Sequence, residues 1–231
     1  MYKTSHLVIA MLALIVASVV HAKEYQSSFG PTLDIPDNWL VLTKQVIQDD
    51  PALTNPTSAS FGGFNADMIK DLKAKVEAGS LEVFFDRATS DATFADNINV
   101  RQGTGKVPDG PDAVKAACDQ YAKALARLAK RDLAVTTCEV RTVGARSSFY
   151  VEYEGVDAGT VTMQYQIPRR DGRMIYLTAT CKRASLDKVR PDFEAIVRSI
   201  KFLQPASSVP GTPQGPAAGP AQTATLAGAN P

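Results

Sequence analysis

Leu133 to Cys181 reads LAVTTCEVRTVGARSSFYVEYEGVDAGTVTMQYQIPRRDGRMIYLTATC, and this stretch decides the fold. Apolar and polar residues alternate with a period of two in four runs, roughly 133–143, 148–154, 159–167 and 173–181. The connections are Gly144-Ala-Arg146, Gly155 to Ala158 and Pro168 to Gly172, all short and rich in turn-forming residues. A parallel crossover needs a dozen or more residues, so links this short predict four antiparallel strands in a meander. Cys138 and Val140 share one face of the first strand.

Upstream of the meander the period changes. Asp109-Gly-Pro-Asp112 introduces a long helix predicted over Ala113 to Lys130. Its apolar stripe is Val114, Cys118, Tyr121, Leu125 and Leu128, with Lys115, Lys123, Arg127 and Lys130 on the other side. Two strands precede it, Leu81 to Arg87 and Asn97 to Gln102, and before them a helix from Asp67 to Ala78 places Met68, Ile69, Leu72 and Val76 on one face. Residues 44–65 read as irregular. Leu33 and Ile35 alternate with polar residues in Ser28 to Pro36, and Pro36-Asp37-Asn38 is turn chemistry leading to a second short strand, Asn38 to Leu42. After the meander, a final helix from Leu186 to Ile200 carries Val189, Phe193, Ile196, Val197 and Ile200 inward. The expected fold class is α+β: an antiparallel sheet with helices packed on it.

The ends of the chain read differently. Lys3, the uninterrupted apolar run Leu7 to Val20 and Val20-His21-Ala22 have the three parts of a cleavable secretory signal over residues 1–22. Fourteen apolar residues fall short of the ~20 needed for a membrane span, so no span is expected after cleavage. Residues 205–231 carry no charge and no aromatic side chain, and their Pro, Ala and Gly content predicts a disordered tail. The domain expectation is therefore 1–22 signal, 23–204 one α/β domain and 205–231 tail, with an exported, periplasmic or extracellular location. Lys3 accounts for the whole excess of 25 basic over 24 acidic residues, so the remaining chain is formally neutral. That balance argues against nucleic acid as a partner.

Both histidines, His6 and His21, fall in the expected signal. Without them the remaining chain lacks the residue needed for Ser-His-Asp and Cys-His catalysis and for histidine zinc sites. Gly103-Thr104-Gly105 lacks the third glycine of a phosphate-cradling loop. The expectation is a non-enzyme with no cofactor and no metal. Asp86, Asp91 and Asp96 recur every five residues, but their spacing is not that of an EF-hand.

Three cysteines in an oxidising compartment permit one bridge. From the turn at Arg131-Asp132, Cys118 lies about 13 residues back along a helix, or ~20 Å. Cys138 lies about 6 residues forward along a strand, also ~20 Å. The two therefore sit at one height. The residue level with Cys138 three strands away is near Thr178, which leaves Cys181 out of disulfide reach. Cys118–Cys138 is the expected bridge and Cys181 the free thiol, against the alternative of three reduced, buried thiols.

Three motifs, in order, resemble the PsbP-like proteins, including the DcrB-like envelope proteins of bacteria. Phe29-Gly30-x-x-Leu33-x-Ile35-Pro36-x-x-Trp39 resembles their opening hairpin. Phe94-x-x-Asn97-Ile98-Asn99-Val100 resembles their mid-domain strand, and Phe193-x-x-Ile196-Val197-x-Ser199-Ile200-x-Phe202 their closing helix. The resemblance spans nearly all of residues 24–203. It implies an α/β/α sandwich and a non-catalytic accessory or partner-binding role, with no catalytic residues to transfer. The chain departs from the pattern in a longer stretch between residues 44 and 80, with an added helix.

The leading functional expectation is an exported module of the cell envelope acting through protein–protein contact, its partner an envelope or secreted protein. The alternatives are a carrier of a small molecule or lipid in a cleft between helices and sheet, and a carboxylate-based hydrolase needing two facing acids. Trp39, Arg169 and Arg170 are the candidate partner contacts. For Trp39 the competing reading is a core residue behind the opening strands. For Arg169 and Arg170, with Arg173 around Asp171-Gly172, it is a soluble turn. The cationic row Lys115, Lys123, Arg127 and Lys130 reads as a solvated helix face.

Overall fold

The computed structural model describes residues 22–55, 66–91 and 94–202. The expected tail, and the expected signal apart from Ala22, lie outside the described residues.

The predicted meander is present as β6 (Val135–Val143), β7 (Arg146–Glu154), β8 (Thr160–Pro168) and β9 (Arg173–Lys182). Three further strands, β3 (Trp39–Leu42), β4 (Glu82–Asp86) and β5 (Asn97–Thr104), complete a seven-stranded sheet in the order β3-β4-β5-β9-β8-β7-β6. Every pairing in it is antiparallel. The register is continuous: Cys138 pairs with Val151, Val151 with Gln164, Gln164 with Thr178 and Thr178 with Asn99. Thr178 thus stands level with Cys138, as strand counting predicted.

Successive residues point to opposite faces of a strand. One face presents Phe84, Ile98, Val100, Leu177, Ala179, Met163, Tyr165 and Tyr150 to the helix α4 (Leu186–Ser199), whose Val189, Phe193, Ile196 and Val197 are buried there. The other face is covered in two places. The helix α2 (Ala66–Glu77) packs Ile69 and Val76 on Leu40, Leu42, Val83 and Phe85. The helix α3 (Pro111–Ala129) packs Leu125 and Tyr121 on Phe149, Val151 and Tyr153. Helices on both faces make the α/β/α sandwich that the motifs implied.

Three details differ from the sequence reading. The segments around Pro36-Asp37-Asn38 do not form a hairpin. The strand β2 (Pro31–Pro36) pairs with β1 (Ala22–Gln26) on one side and β10 (Lys201–Phe202) on the other, in a separate three-stranded sheet. Both its edges are used, so the turn carries the chain round a corner into the large sheet, where Asn38 Nδ2 donates to Asp86 Oδ1 at 3.0 Å.

Of the stretch 44–65 read as irregular, residues 56–65 lie outside the described residues, and the part before them is ordered. It holds a six-residue helix, α1 (Lys44–Asp49), with Thr43 Oγ1 accepting from the Val46 amide at 3.2 Å, and a 3-10 turn over Pro51–Thr54. A helix this short has no periodic stripe to read; Thr43 was its only signal. Finally, Leu128 is 69 % exposed. The buried stripe of α3 continues from Leu125 to Ala129, one turn on, and Leu128 falls outside it.

Cys118 and Cys138 are joined in a disulfide that ties α3 to β6. Cys181 is free and fully buried, and burial, then the Asp96 carboxylate, pushes its thiol up to about 12. The oxidised native protein is therefore expected to react with no thiol reagent at about pH 8, one cysteine becoming reactive on unfolding and three after reduction. Cys118→Ser with Cys138→Ser should cost about 3 kcal/mol in denaturant unfolding. A native thiol titrating at wild-type conditions would contradict the assignment.

Candidate binding surface

The surface builds outward from β6. This strand is the last of the seven and pairs only with β7, so its outer row of backbone groups meets no strand among the described residues. The disulfide fixes α3 above it. Between the two runs an open groove of about 1010 Å³, walled by Val114, Cys118 and Ala122 of α3, by Cys138 and Val140 of β6, and by Val107 from the segment before α3. Val140 is 38 % exposed on its floor.

At the end where the β6–β7 and β8–β9 turns lie, the groove runs into a second cleft of about 420 Å³ lined by Lys106, Arg146, Arg169 and Arg173, the two sharing Val107 and Ser147. Arg146 opens β7, donates to the Pro168 carbonyl at 2.6 Å and lies 4.2 Å from the centre of the Phe202 ring. Burial, then the charges of Arg170 and Arg169, pushes its guanidinium below the usual arginine range. Arg169 bends inward: it donates to the Phe29 carbonyl and to Gln102 Oε1, and pairs with Asp171. Gly30, at φ +106°, leaves the room it uses, since a Cβ there would stand 3.0 Å from Nη1. Arg170, next in the turn, is exposed.

The structure thus brings Arg169 and Arg170 to one end of the molecule and leaves Trp39 elsewhere. Trp39 is 4 % exposed, its indole N–H donating to Asp192 Oδ2 at 3.0 Å; its place is the core, and its proposed role as a partner contact is corrected by that burial. Sequence reasoning missed Arg146 and Lys106, which lie some 20 and 60 residues away from the arginine turn. The short turn at Gly144 and the β5–β9 register bring them to it. Lys115 and Asp119 also border the groove, exposed and paired with each other at 2.9 Å.

Two other clusters are structural. Arg190 of α4 grips Glu152 with two bonds of 2.7 Å, and the Tyr150 hydroxyl donates to the same carboxylate at 2.8 Å. Arg141 donates to the Tyr165 hydroxyl at 3.0 Å, which in turn donates to Glu194. The Arg190 hydrogen bonds hold the Glu152 carboxyl below the ordinary glutamate range, so it has no proton to give as a general acid near neutrality. Of the recurring aspartates, Asp86 is occupied by Asn38, the Ala88 amide and Thr89, and Asp91 pairs with Lys182. Among the described residues no group of three side chains is gathered that would hold a metal ion. A third cavity, about 430 Å³, lies between α2 and the sheet, with Ile69, Leu72, Leu81, Val83, Phe85 and Phe94 around Asn97 and Asn99.

No protein-family model matches the sequence, and no curated protein matches it. Among solved structures, the chain is similar to the solution structure of the cyanobacterial PsbP of Synechocystis, at 13 % identity and a TM-score of 0.48, over 81 % of this chain and 96 % of that one. It is similar to the Saccharomyces cerevisiae Ran-binding protein Mog1p at 11 % identity and a TM-score of 0.45, over 79 % and 96 %. A protein of unknown function from Pseudomonas aeruginosa matches at 15 % identity and a TM-score of 0.40, over 80 % and 99 %. The likeness is one of fold, and no partner is carried across.

Because Glu152 titrates below its unfolded value, its pairing stabilises the fold above the ordinary glutamate range and is lost as pH falls through that depressed value. Glu152→Gln should lower stability at neutral pH and flatten the further loss between about pH 5 and pH 2, measured by urea unfolding. Parallel wild-type and variant profiles would exclude this linkage.

Proposed function

We propose that this chain is an exported, non-enzymatic binding module of the cell envelope, acting on an envelope or secreted protein. In this reading residues 1–22 are removed on export, residues 23–204 form the working domain and residues 205–231 serve as a spacer. The groove between α3 and the edge strand β6 is the observation that carries it: an apolar floor, a fixed wall and an unpaired strand edge on the same surface. The disulfide supports export, since such bonds persist in oxidising compartments. Among the described residues no helix is long and apolar enough to cross a membrane.

Co-purification of the tagged protein from its own envelope after mild crosslinking tests the reading. One protein recovered in near-equal amount is the expected result. Val140→Glu, which changes an exposed side chain, should cut that recovery at least about ten-fold while leaving thermal unfolding unchanged.

The cavity beneath α2 favours a second reading, a small-molecule or lipid carrier, because its lining is mostly apolar with a few polar groups, Asp71, Lys75, Asn97 and Asn99. Native mass spectrometry separates the two. A purified protein carrying an added ligand mass, with no protein captured, would replace the binding module by the carrier.

A further inference from the structure

We propose that the basic cleft beside the groove receives the carboxylates of an acidic segment of the protein partner. This rests on the binding-module reading and adds the chemistry of what is bound. Lys106, Arg146, Arg169 and Arg173 line the cleft, with exposed Arg170 next to Arg169 in the same turn, in a chain whose charges balance overall. Among the described residues, the carboxylate that pairs with Arg169 and Arg173 is Asp171. Its Oδ2 accepts from Arg173 Nε at 2.9 Å and lies 3.0 Å from Arg169 Nη2 and 2.8 Å from Arg173 Nη2. The chain's own side chain thus shows Arg169 and Arg173 converging on a carboxylate.

Arg146 pairs with no carboxylate among the described residues. Its contacts are a backbone carbonyl and an aromatic ring, and its near neighbours are other arginines. A half-buried guanidinium among like charges is stabilised by an anion supplied from outside. Residues 203–231, which follow Phe202 at this cleft, contain no acidic side chain to supply one.

Continuity selects a peptide over a small ion. Val107 and Ser147 border both cavities, so a segment with apolar residues over Val140 leads directly into the arginines. The occupant is an extended stretch with an apolar part followed by clustered Asp or Glu.

Fluorescence anisotropy with labelled hexaglutamate tests the charge, with hexalysine and with vesicles of phosphatidylglycerol or phosphatidylcholine as comparators. Saturable hexaglutamate binding is expected, weakening as salt rises and absent for hexalysine. Arg170→Glu, an exposed change that leaves the fold intact, should weaken it about five-fold, and Arg146→Gln further.

No saturable hexaglutamate binding, or binding indifferent to both variants, overturns the proposal. Phosphatidylglycerol vesicles bound without competition from the peptide also overturn it, assigning the cleft to a lipid surface. Crosslinking with the same variants separates this inference from its parent. A partner retained at wild-type yield by Arg146→Gln and Arg170→Glu sinks the acidic-segment inference alone. A wild-type chain that recovers no partner sinks the binding module and this inference with it.

Discussion

The span of α3 is the constraint on which the rest of the structure depends. Strand β5 lies in the middle of the large sheet, and the next strand in the chain, β6, lies at its far edge. Four strand spacings separate them, roughly 19 Å. A helix of 19 residues covers this distance while returning the chain to the other end of the sheet, and only then does the meander fold back strand by strand until β9 closes on β5. The disulfide pins that crossing element to the strand farthest from where it started.

Crossing in this way leaves the middle of the sheet partly polar. Between the apolar patches under α2 and α3, the floor carries Thr162, Gln164 and Thr178, all buried. Each has a partner: Tyr121 of α3 donates to Gln164 Oε1 at 2.9 Å, Gln164 Nε2 donates to Thr178 Oγ1 at 2.8 Å, and the Thr162 and Thr180 hydroxyls bond at 3.3 Å. Buried polar groups tolerate desolvation only when paired this way. The row registers α3 laterally on the sheet as the disulfide registers it at the edge. On the opposite face, the Arg190–Glu152 and Arg141–Glu194 pairs do the same for α4.

The elements legible in the sequence were those defined by local chemistry. Period-two runs with short turns gave the meander, and rise-per-residue arithmetic on a helix and a strand leaving one turn was enough to pair Cys118 with Cys138. Pairings set by distant partners were not legible. Nothing in Pro31 to Pro36 says that its edges belong to Ala22–Gln26 and Lys201–Phe202, and a turn between two strands reads as a hairpin until those partners are known. Leu128 was misplaced because a 3.6-residue period allows two candidates per turn, and only packing chooses Ala129. The basic end was half legible: the arginine turn is contiguous in sequence, whereas Arg146 and Lys106 reach it through sheet register.

The antiparallel pairings of β2 also fix where Ala22 and Phe202, the outermost described residues, lie. Ala22 pairs with Pro36, at one end of that strand, and Phe202 pairs with Pro31, at the other. A fluorophore or fusion attached ahead of Ala22 therefore starts about 17 Å from the arginines, the length of a six-residue strand. Anything joined after Phe202 begins against Arg146 itself. The two ends are not equivalent handles: one holds the molecule by its back, the other by its mouth.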